Sequence, residues 1–460
     1  MEVGQVILVT IKRLGINGEG VGYYKKKVVF INGALPGEVV VAEIKKVEKN
    51  YATAELVRVK EKSADRVKPD CPVYEQCGGC QVQHLSYPAQ LRGKKEIVVE
   101  SFQKYFGSDK LPEIRDTVGM EHPWSYRNKA QLQVGMANGK VVTGLYAAGT
   151  HQLIDVSGCP IQHPKTNEMV KTTRDVLQQL NIPIYNERKR TGVIRTVVAR
   201  VGFETEGAQI TLVTAVDEIP RVKELILELR NRLPYVQSIM QNINNKKTSL
   251  IFGEKTKTLW GKEAIDEKLG EVEFSLSPRA FFQLNPEQTI KLYNYVREAA
   301  ALTGKENVID AYCGVGTIGL WLAPAAKEVR GIEVIPDAVK NANENADRSG
   351  ITNAHFFTGK AEELLPKWVK SGLRPDVVVV DPPRTGCDDK LLQTLIEIKP
   401  KRIVYVSCNP STLAKDCRTL RKAFDVKWVQ PVDMFPQTAH VECCTLLVGK
   451  CKTTIKPSQP

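Results

Sequence analysis

The sequence predicts an α/β protein in three parts: a small N-terminal β-barrel, a mixed α+β centre and a C-terminal doubly wound sheet. Three observations carry this. The first 60 residues break into about five short strand patterns separated by glycine-rich turns. From about residue 290, strand and helix patterns alternate to the end of the chain. Between these regions, strand pairs and helical stretches mix without an internal repeat.

The chain has 460 residues, too many for one ordinary domain and comfortable for two or three. Hydrophobic residues make up 42%, enough for real cores, yet no apolar stretch is long enough to span a membrane. The start, Met1-Glu2-Val3-Gly4-Gln5, lacks the charged head and apolar run of a signal peptide, so a cytoplasmic location is expected. A net charge of +13 suggests a polyanionic partner, nucleic acid before membrane, although charge alone also fits a solvated basic surface. Eleven cysteines in a cytosolic chain are not expected to form disulfides. They divide into ligands, nucleophiles and small core residues.

In the first part the clearest strands are Gln5–Ile11, Lys27–Ile31, Glu38–Lys45 and Thr53–Val59. Closure into a barrel, as in oligonucleotide-binding folds, removes their edges. Ten Lys and Arg stand against six Glu here, and Lys25-Lys26-Lys27 adjoins Tyr23 and Tyr24. Charge beside stacking rings suits single-stranded RNA, while a lysine-protected edge strand is the plainer alternative. Residues 61–70 are charged, include Pro69 and read as a linker. A cysteine cluster and a helix at Pro88–Tyr105 come next. Strands are expected at Ala130–Gly135 and Val141–Tyr146 around the turn Asn138-Gly139, then at Thr196–Gly202 and Gln209–Val216, with helix around Asp217–Arg232. The expected domains are 1–60, 61–265 and 266–460, the helix near 88–107 packing on the last.

The third part begins with helix Pro286–Ala301 and strand Asn307–Ala311. Helix Thr317–Ala323, strand Glu328–Glu333 and helix Pro336–Asp347 follow. Strand His355–Thr358 then precedes strand Asp376–Asp381 directly. Helix Lys390–Lys399, strand Arg402–Ser407 and helix Thr412–Ala423 come next. Two final strands, Val426–Pro431 and Glu442–Val448, fit an antiparallel end to the sheet.

The strand ends carry chemistry. Asp310-Ala311-Tyr312-Cys313-Gly314-Val315-Gly316 is an acid and a G-x-G before a helix, where backbone approaches a ligand closely. Glu333 ends the next strand 23 residues after Asp310, placed to accept hydrogen bonds from a ribose. With Gly319 the glycines also read G-x-G-x-x-G, so that motif leaves a dehydrogenase open. Val377-Val378-Val379-Val380 predicts a strand buried on both faces, ending in Asp381-Pro382-Pro383-Arg384. The prolines stiffen the turn that holds Asp381, which a dehydrogenase does not need. Cys408, in Ser407-Cys408-Asn409-Pro410, reaches the same sheet edge and is a candidate nucleophile. Cys313, Cys387, Cys417, Cys443, Cys444 and Cys451 read as core residues. His440 and Glu442, two apart on an extended segment, are candidate proton acceptors.

These motifs in this order resemble the RNA uracil-C5 methyltransferases, as does Ser277-Pro278-Arg279-Ala280-Phe281-Phe282-Gln283-Leu284-Asn285. The resemblance runs over nearly the whole chain. It implies a Rossmann-like catalytic domain using S-adenosylmethionine, held by Gln283, Tyr312, Glu333 and Asp381. Phe281 is then the ring that stacks on the turned-out base, offsetting part of the cost of unstacking it. Cys408 is the nucleophile that adds to uracil C6, and Glu442 the base that removes the C5 proton. The N-terminal barrel resembles a TRAM domain. Cys71, Cys77, Cys80 and the distant Cys159 resemble the family's [4Fe–4S] ligand set. Spacing alone also admits structural zinc. The C-x3-C-x2-C triplet of radical enzymes is absent, so a cluster here would be structural or would position RNA. Arg127 and Lys129 are candidates for phosphate contacts.

Barrel and cysteines together resemble the 23S ribosomal RNA branch. That implies 5-methyluridine at uridine 747, uridine 1939 or both in standard ribosomal numbering, made by a monomer. Transfer-RNA uracil is the alternative. A cytosine-C5 enzyme would carry a second cysteine beside the fourth-strand proline, and Cys387 comes too late for that. An adenine N-methyltransferase would prefer an aromatic residue after Pro-Pro. A non-catalytic RNA-binding protein would not need the acid, glycine and cysteine positions intact.

Overall fold

The computed structural model describes residues 1–107, 110–147, 149–156, 158–248 and 250–450. Cys451 lies outside them. Contacts group the chain into two compact units. The first comprises Met1–Gly93, Gly119–Ile290 and Met434–Ala439; the second comprises Lys94–Val118, Lys291–Asp433 and the residues from His440 on. Among the described residues no helix is long and apolar enough to cross a membrane.

The first unit opens with the barrel. Strands Val6–Leu14, Gly20–Tyr24, Lys27–Ile31, Tyr51–Glu61 and Val39–Val47 close in that order. The alternation is visible in Val6–Leu14, where Ile7, Val9 and Ile11 are buried and their neighbours exposed. The hairpin before Lys27 turns on Lys25 and Lys26, both at positive φ (47° and 66°). Such a turn normally uses Asn-Gly, so no turn residue marks it in the sequence.

The stretch 61–70 is bound to the barrel and is not a free linker. Glu38, 0% exposed, accepts bonds from Arg66 Nε (2.6 Å) and Nη2 (2.8 Å) and from the amides of Leu35 (2.9 Å) and Ser63 (3.4 Å). Arg66 Nη2 also donates to the Gly33 carbonyl at 2.7 Å. Burial pushes the Glu38 carboxyl up, but Arg66 and the amides hold it below its usual range. A depressed carboxyl stabilises the fold above its unfolded pKa, and that stability is lost as pH falls through the folded value. Arg66→Ala is therefore expected to cost about 3 kcal/mol, read by urea unfolding near neutral pH. The wild type should lose stability as pH falls through the folded Glu38 value, and an unchanged urea midpoint in acid would refute the linkage.

The rest of the first unit is built on a seven-stranded sheet. Its order is Lys255–Gly261, Val236–Ile243, Ala208–Thr214, Ile194–Val201, Lys129–Ala137, Lys140–Tyr146, Leu153–Asp155. Helices Pro164–Gln179 and Val222–Arg232 supply Met169, Val170, Val176, Leu225 and Leu229 to the core over it. Strand Val236–Ile243 has no clear period in the sequence because Ser238, Gln241 and Asn242 are buried polar residues. Each is bonded: Asn242 Nδ2 to Thr256 Oγ1 at 2.9 Å, Gln241 Nε2 to Thr214 Oγ1 at 2.8 Å, and Ser238 Oγ from Gln209 Nε2 at 3.0 Å. A hairpin, Ile265–Leu269 with Val272–Leu276, completes the unit.

The second unit is the doubly wound sheet. Its order is Ala354–Thr358, Glu328–Glu333, Asn307–Ala311, Val377–Val380, Arg402–Ser407, Glu442–Gly449, Phe424–Val432, Glu113–Ile114. The first five strands are parallel; Glu442–Gly449 enters antiparallel between Arg402–Ser407 and Phe424–Val432. The four valines are buried, as their run predicts. The sequence reading lacks two elements of this sheet's unit, strand Glu113–Ile114 and helix Ala361–Lys370; in the helix, Pro366 interrupts the helical pattern.

Candidate active site

In the second unit the carboxyl ends of the parallel strands converge on one edge. Three residues of the first turn, Tyr312, Gly314 and Gly316, take positive φ (64°, 54° and 82°). A Cβ on Gly314 would meet nothing within 4 Å, so its glycine serves the backbone and leaves the space beside it open. A Cβ on Gly316 would lie 2.7 Å from the Phe356 ring. Glu333 steadies the turn. Its Oε2 accepts from the Gly314 amide at 3.2 Å and its Oε1 from the Ile335 amide at 3.0 Å. Each oxygen keeps a further lone pair for a hydroxyl. Asp310 is fully buried and accepts the Gly319 amide at 2.8 Å, while its Oδ1 has no partner among the described residues. Burial, joined by Asp381 and Glu333, pushes its carboxyl up to about 8 against the Gly319 bond. Asp310 thus anchors the turn as a largely neutral group.

The next strand delivers Asp381, half-buried, with its carboxyl pushed up to about 6 by burial. Its turn is tied to the following one. The Arg384 carbonyl accepts from Asn409 Nδ2 at 3.0 Å and Thr412 Oγ1 at 3.3 Å. Asn409 also caps helix Pro410–Leu420 through Oδ1, and its amide donates to Ser407 Oγ at 3.1 Å. Cys408 therefore sits in a turn fixed on both sides, half-buried at the edge. Ser407, the last residue of its strand, pairs with Cys443, so Cys408 and Glu442 adjoin the same end of that pairing.

The electrostatics follow from this placement. Burial, then the Glu442 and Asp381 charges, push the Cys408 thiol up to about 11, with Arg384 opposing. Burial, then Asp381, push the Glu442 carboxyl up to about 8, again against Arg384. A thiol and a carboxyl with raised affinities for protons thus lie within electrostatic reach of each other and of one cation. That arrangement can add a thiolate to an electrophilic carbon and accept a proton from the adjacent one. His440 precedes the strand and is exposed. Cys313, Cys387, Cys417, Cys443 and Cys444 are buried, as expected of core cysteines.

Sequence reasoning missed the support of this edge. Asp416, 3% exposed, accepts from Tyr405 Oη at 2.7 Å and from the Cys387 amide at 2.8 Å, and a Cβ on Gly386 would come within 2.6 Å of its Oδ2. The amide of Asp388 donates to Tyr312 Oη at 3.3 Å. These bonds hold the segment after Asp381. The available signal was an Asp three residues after Leu413, on the apolar face of its helix.

Phe281 and Gln283 belong to the first unit. Phe281 is 64% exposed. Its segment is held by Arg200, buried, which donates to the carbonyls of Ser277 (3.2 Å) and Ala280 (2.7 Å). Burial lowers the Arg200 pKa to about 10. Asn128 Nδ2 donates to the Gln283 carbonyl at 2.9 Å. Nothing in the local pattern around Arg200 marks it for this task.

Cys71, Cys77, Cys80 and Cys159, also in the first unit, line one cavity together with Tyr74, Gln83 and Arg127. Asn167 grips the Cys159 backbone in both directions, Oδ1 accepting its amide at 3.1 Å and Nδ2 donating to its carbonyl at 3.0 Å. Burial pushes the thiols of Cys71, Cys80 and Cys159 up, that of Cys80 to about 12. Among the described residues no three His, Cys, Asp or Glu side chains converge on a single metal ion. Four thiols lining one cavity are a donor set that structural zinc also uses. The same thiols have the chemistry that ligates an iron–sulfur cluster.

A family model described as tRNA (uracil-5-)-methyltransferase matches residues 86–450, and one for the TRAM domain matches residues 1–57. An uncharacterized RNA methyltransferase of Bacillus cereus is 59% identical over 450 residues, covering 98% of each chain. One of Halalkalibacterium halodurans is 59% identical over 455 residues, again covering 98% of each. Among solved structures, the Pyrococcus abyssi tRNA (uracil-54, C5)-methyltransferase in complex with S-adenosyl-L-homocysteine aligns with a TM-score of 0.77 at 28% identity, over 96% of this chain and 99% of that one. The chain belongs to the tRNA (uracil-5-)-methyltransferase family of RNA-methylating enzymes and opens with a TRAM domain.

Proposed function

We propose that this enzyme methylates carbon 5 of uracil in 23S ribosomal RNA, at one or two uridines, through a covalent Cys408–C6 adduct. The observation that supports the chemistry is that Cys408 and Glu442 adjoin one end of a strand pairing, close enough to interact electrostatically with each other and with Asp381. S-adenosylmethionine supplies the methyl group. Cys408 adds to C6 and makes C5 nucleophilic; after methylation Glu442 takes the C5 proton and the thiolate leaves. Glu333 offers its carboxylate to the ribose, and Tyr312 and Asp381 line the donor's side of the edge. By family resemblance Gln283 shares in donor binding and Phe281 stacks on the base.

The ribosomal target rests on resemblance: a TRAM barrel combined with the four-cysteine set. The second reading, a transfer-RNA uracil, is favoured by the full-length likeness to the Pyrococcus abyssi enzyme. Mapping 5-methyluridine in both RNAs, with and without the gene, separates them. Loss confined to 23S RNA is expected; loss confined to transfer RNA would replace the first reading with the second.

The residues Cys71, Cys77, Cys80 and Cys159 would hold a [4Fe–4S] cluster, which supplies a cross-link between distant parts of the first unit. Protein purified without oxygen should be brown, with iron and sulfide in about equal amounts. Cys159→Ala should lose both. Colourless wild-type protein carrying stoichiometric zinc would sink the cluster.

A further inference from the structure

Arg127, a candidate phosphate contact from the sequence, is half-buried beside the cysteine cavity. Its Nε is buried, with no hydrogen-bond partner among the described residues, and the residue lines the cavity of the four cysteines. Its backbone is locked to the segment after Cys159: the Arg127 amide donates to the Ile161 carbonyl at 3.0 Å, and the His163 amide donates to the Arg127 carbonyl at 3.0 Å. Its guanidinium lies 5.7 Å from the Phe435 ring centroid. No carboxylate pairs with it among the described residues. A buried, idle N–H at the wall of a cavity lined by four cysteines is costly unless an acceptor occupies the cavity.

We propose that Arg127 is the counter-charge and N–H donor to the cluster held by Cys71, Cys77, Cys80 and Cys159. This rests on the cluster reading above. Four thiolates around a [4Fe–4S] core carrying a charge of about +2 leave a net charge near −2, and hydrogen bonds to sulfur and nearby charge set its potential. Arg127 meets both needs from one side chain. It stabilises the reduced cluster, which carries one more negative charge, more than the oxidised one.

Arg127→Gln removes the charge. Arg127→Lys keeps the charge and removes the Nε donor. Both are purified without oxygen, assayed for iron and sulfide, and titrated with dithionite under electron paramagnetic resonance. In the Gln variant the reduced cluster is expected to be disfavoured about tenfold, a potential lower by about 59 mV for one electron. The Lys variant should shift the same way by less. A loaded Gln variant with the wild-type potential would overturn the assignment. Two variants both lacking iron would show that Arg127 serves assembly rather than tuning, and would overturn it equally. Wild-type protein without iron would fail at the earlier step and remove the cluster itself.

Discussion

Replacing Cys408 with alanine is expected to abolish methylation, by on the order of 10⁴-fold or more. Uracil C5 is a weak nucleophile, and addition at C6 is what lends it charge. No other thiol can take over: Cys443 is the nearest in register, and it is buried within the sheet. The donor side of the edge should survive, since Glu333, Tyr312 and Asp381 hang on other strands, so S-adenosylmethionine binding should stay near normal. RNA carrying 5-fluorouridine should trap a covalent adduct with the wild type, because fluorine cannot leave C5 as a proton does. The alanine variant should form none. The thiol, raised to about 11, must be ionised to react, so turnover should rise as pH increases toward that value. An alanine variant that still methylates uracil would falsify the nucleophile.

The second large effect is expected from Glu442→Gln, which keeps the thiolate and removes the base. Turnover should fall by about 10²- to 10⁴-fold. A covalent species should now accumulate with ordinary RNA, because the C5 proton that must leave before Cys408 departs has no acceptor. The two variants therefore give opposite bands on one denaturing gel. The carboxyl at about 8 is raised by burial and by Asp381, and only its deprotonated form accepts a proton. Wild-type kcat/KM should thus climb through about pH 8, and the Gln variant should lose that limb. An adduct-free Gln variant with normal turnover would hand the role to His440 or to water.

Local signals in the chain account for much of the catalytic edge. An apolar run followed by an acid, a glycine or a proline marks where a buried parallel strand ends, and ligands bind at those ends in doubly wound sheets. Asp310, Glu333, Asp381 and Cys408 were legible on that ground alone. The barrel was legible from its alternation, except for the hairpin turning on Lys25 and Lys26, where no glycine announces the positive φ. Helix Ala361–Lys370 was hidden by Pro366, and strand Val236–Ile243 by polar residues whose partners lie on neighbouring strands.

Local sequence sufficed for most strands of the barrel and the catalytic sheet and for the chemistry at their ends, because strand termini are written in the few residues around them. Tertiary structure alone decided which ends meet. Glu442 comes to the end of the Cys408 strand only because the last strand enters antiparallel between two others, pairing Ser407 with Cys443, 36 positions on. Arg66 closes on Glu38, Arg200 holds the Phe281 segment and Asp416 braces the turn after Asp381 for the same reason. A buried charge or amide is stable only beside its partner, and that partner is brought by the fold, not by the local period of the chain.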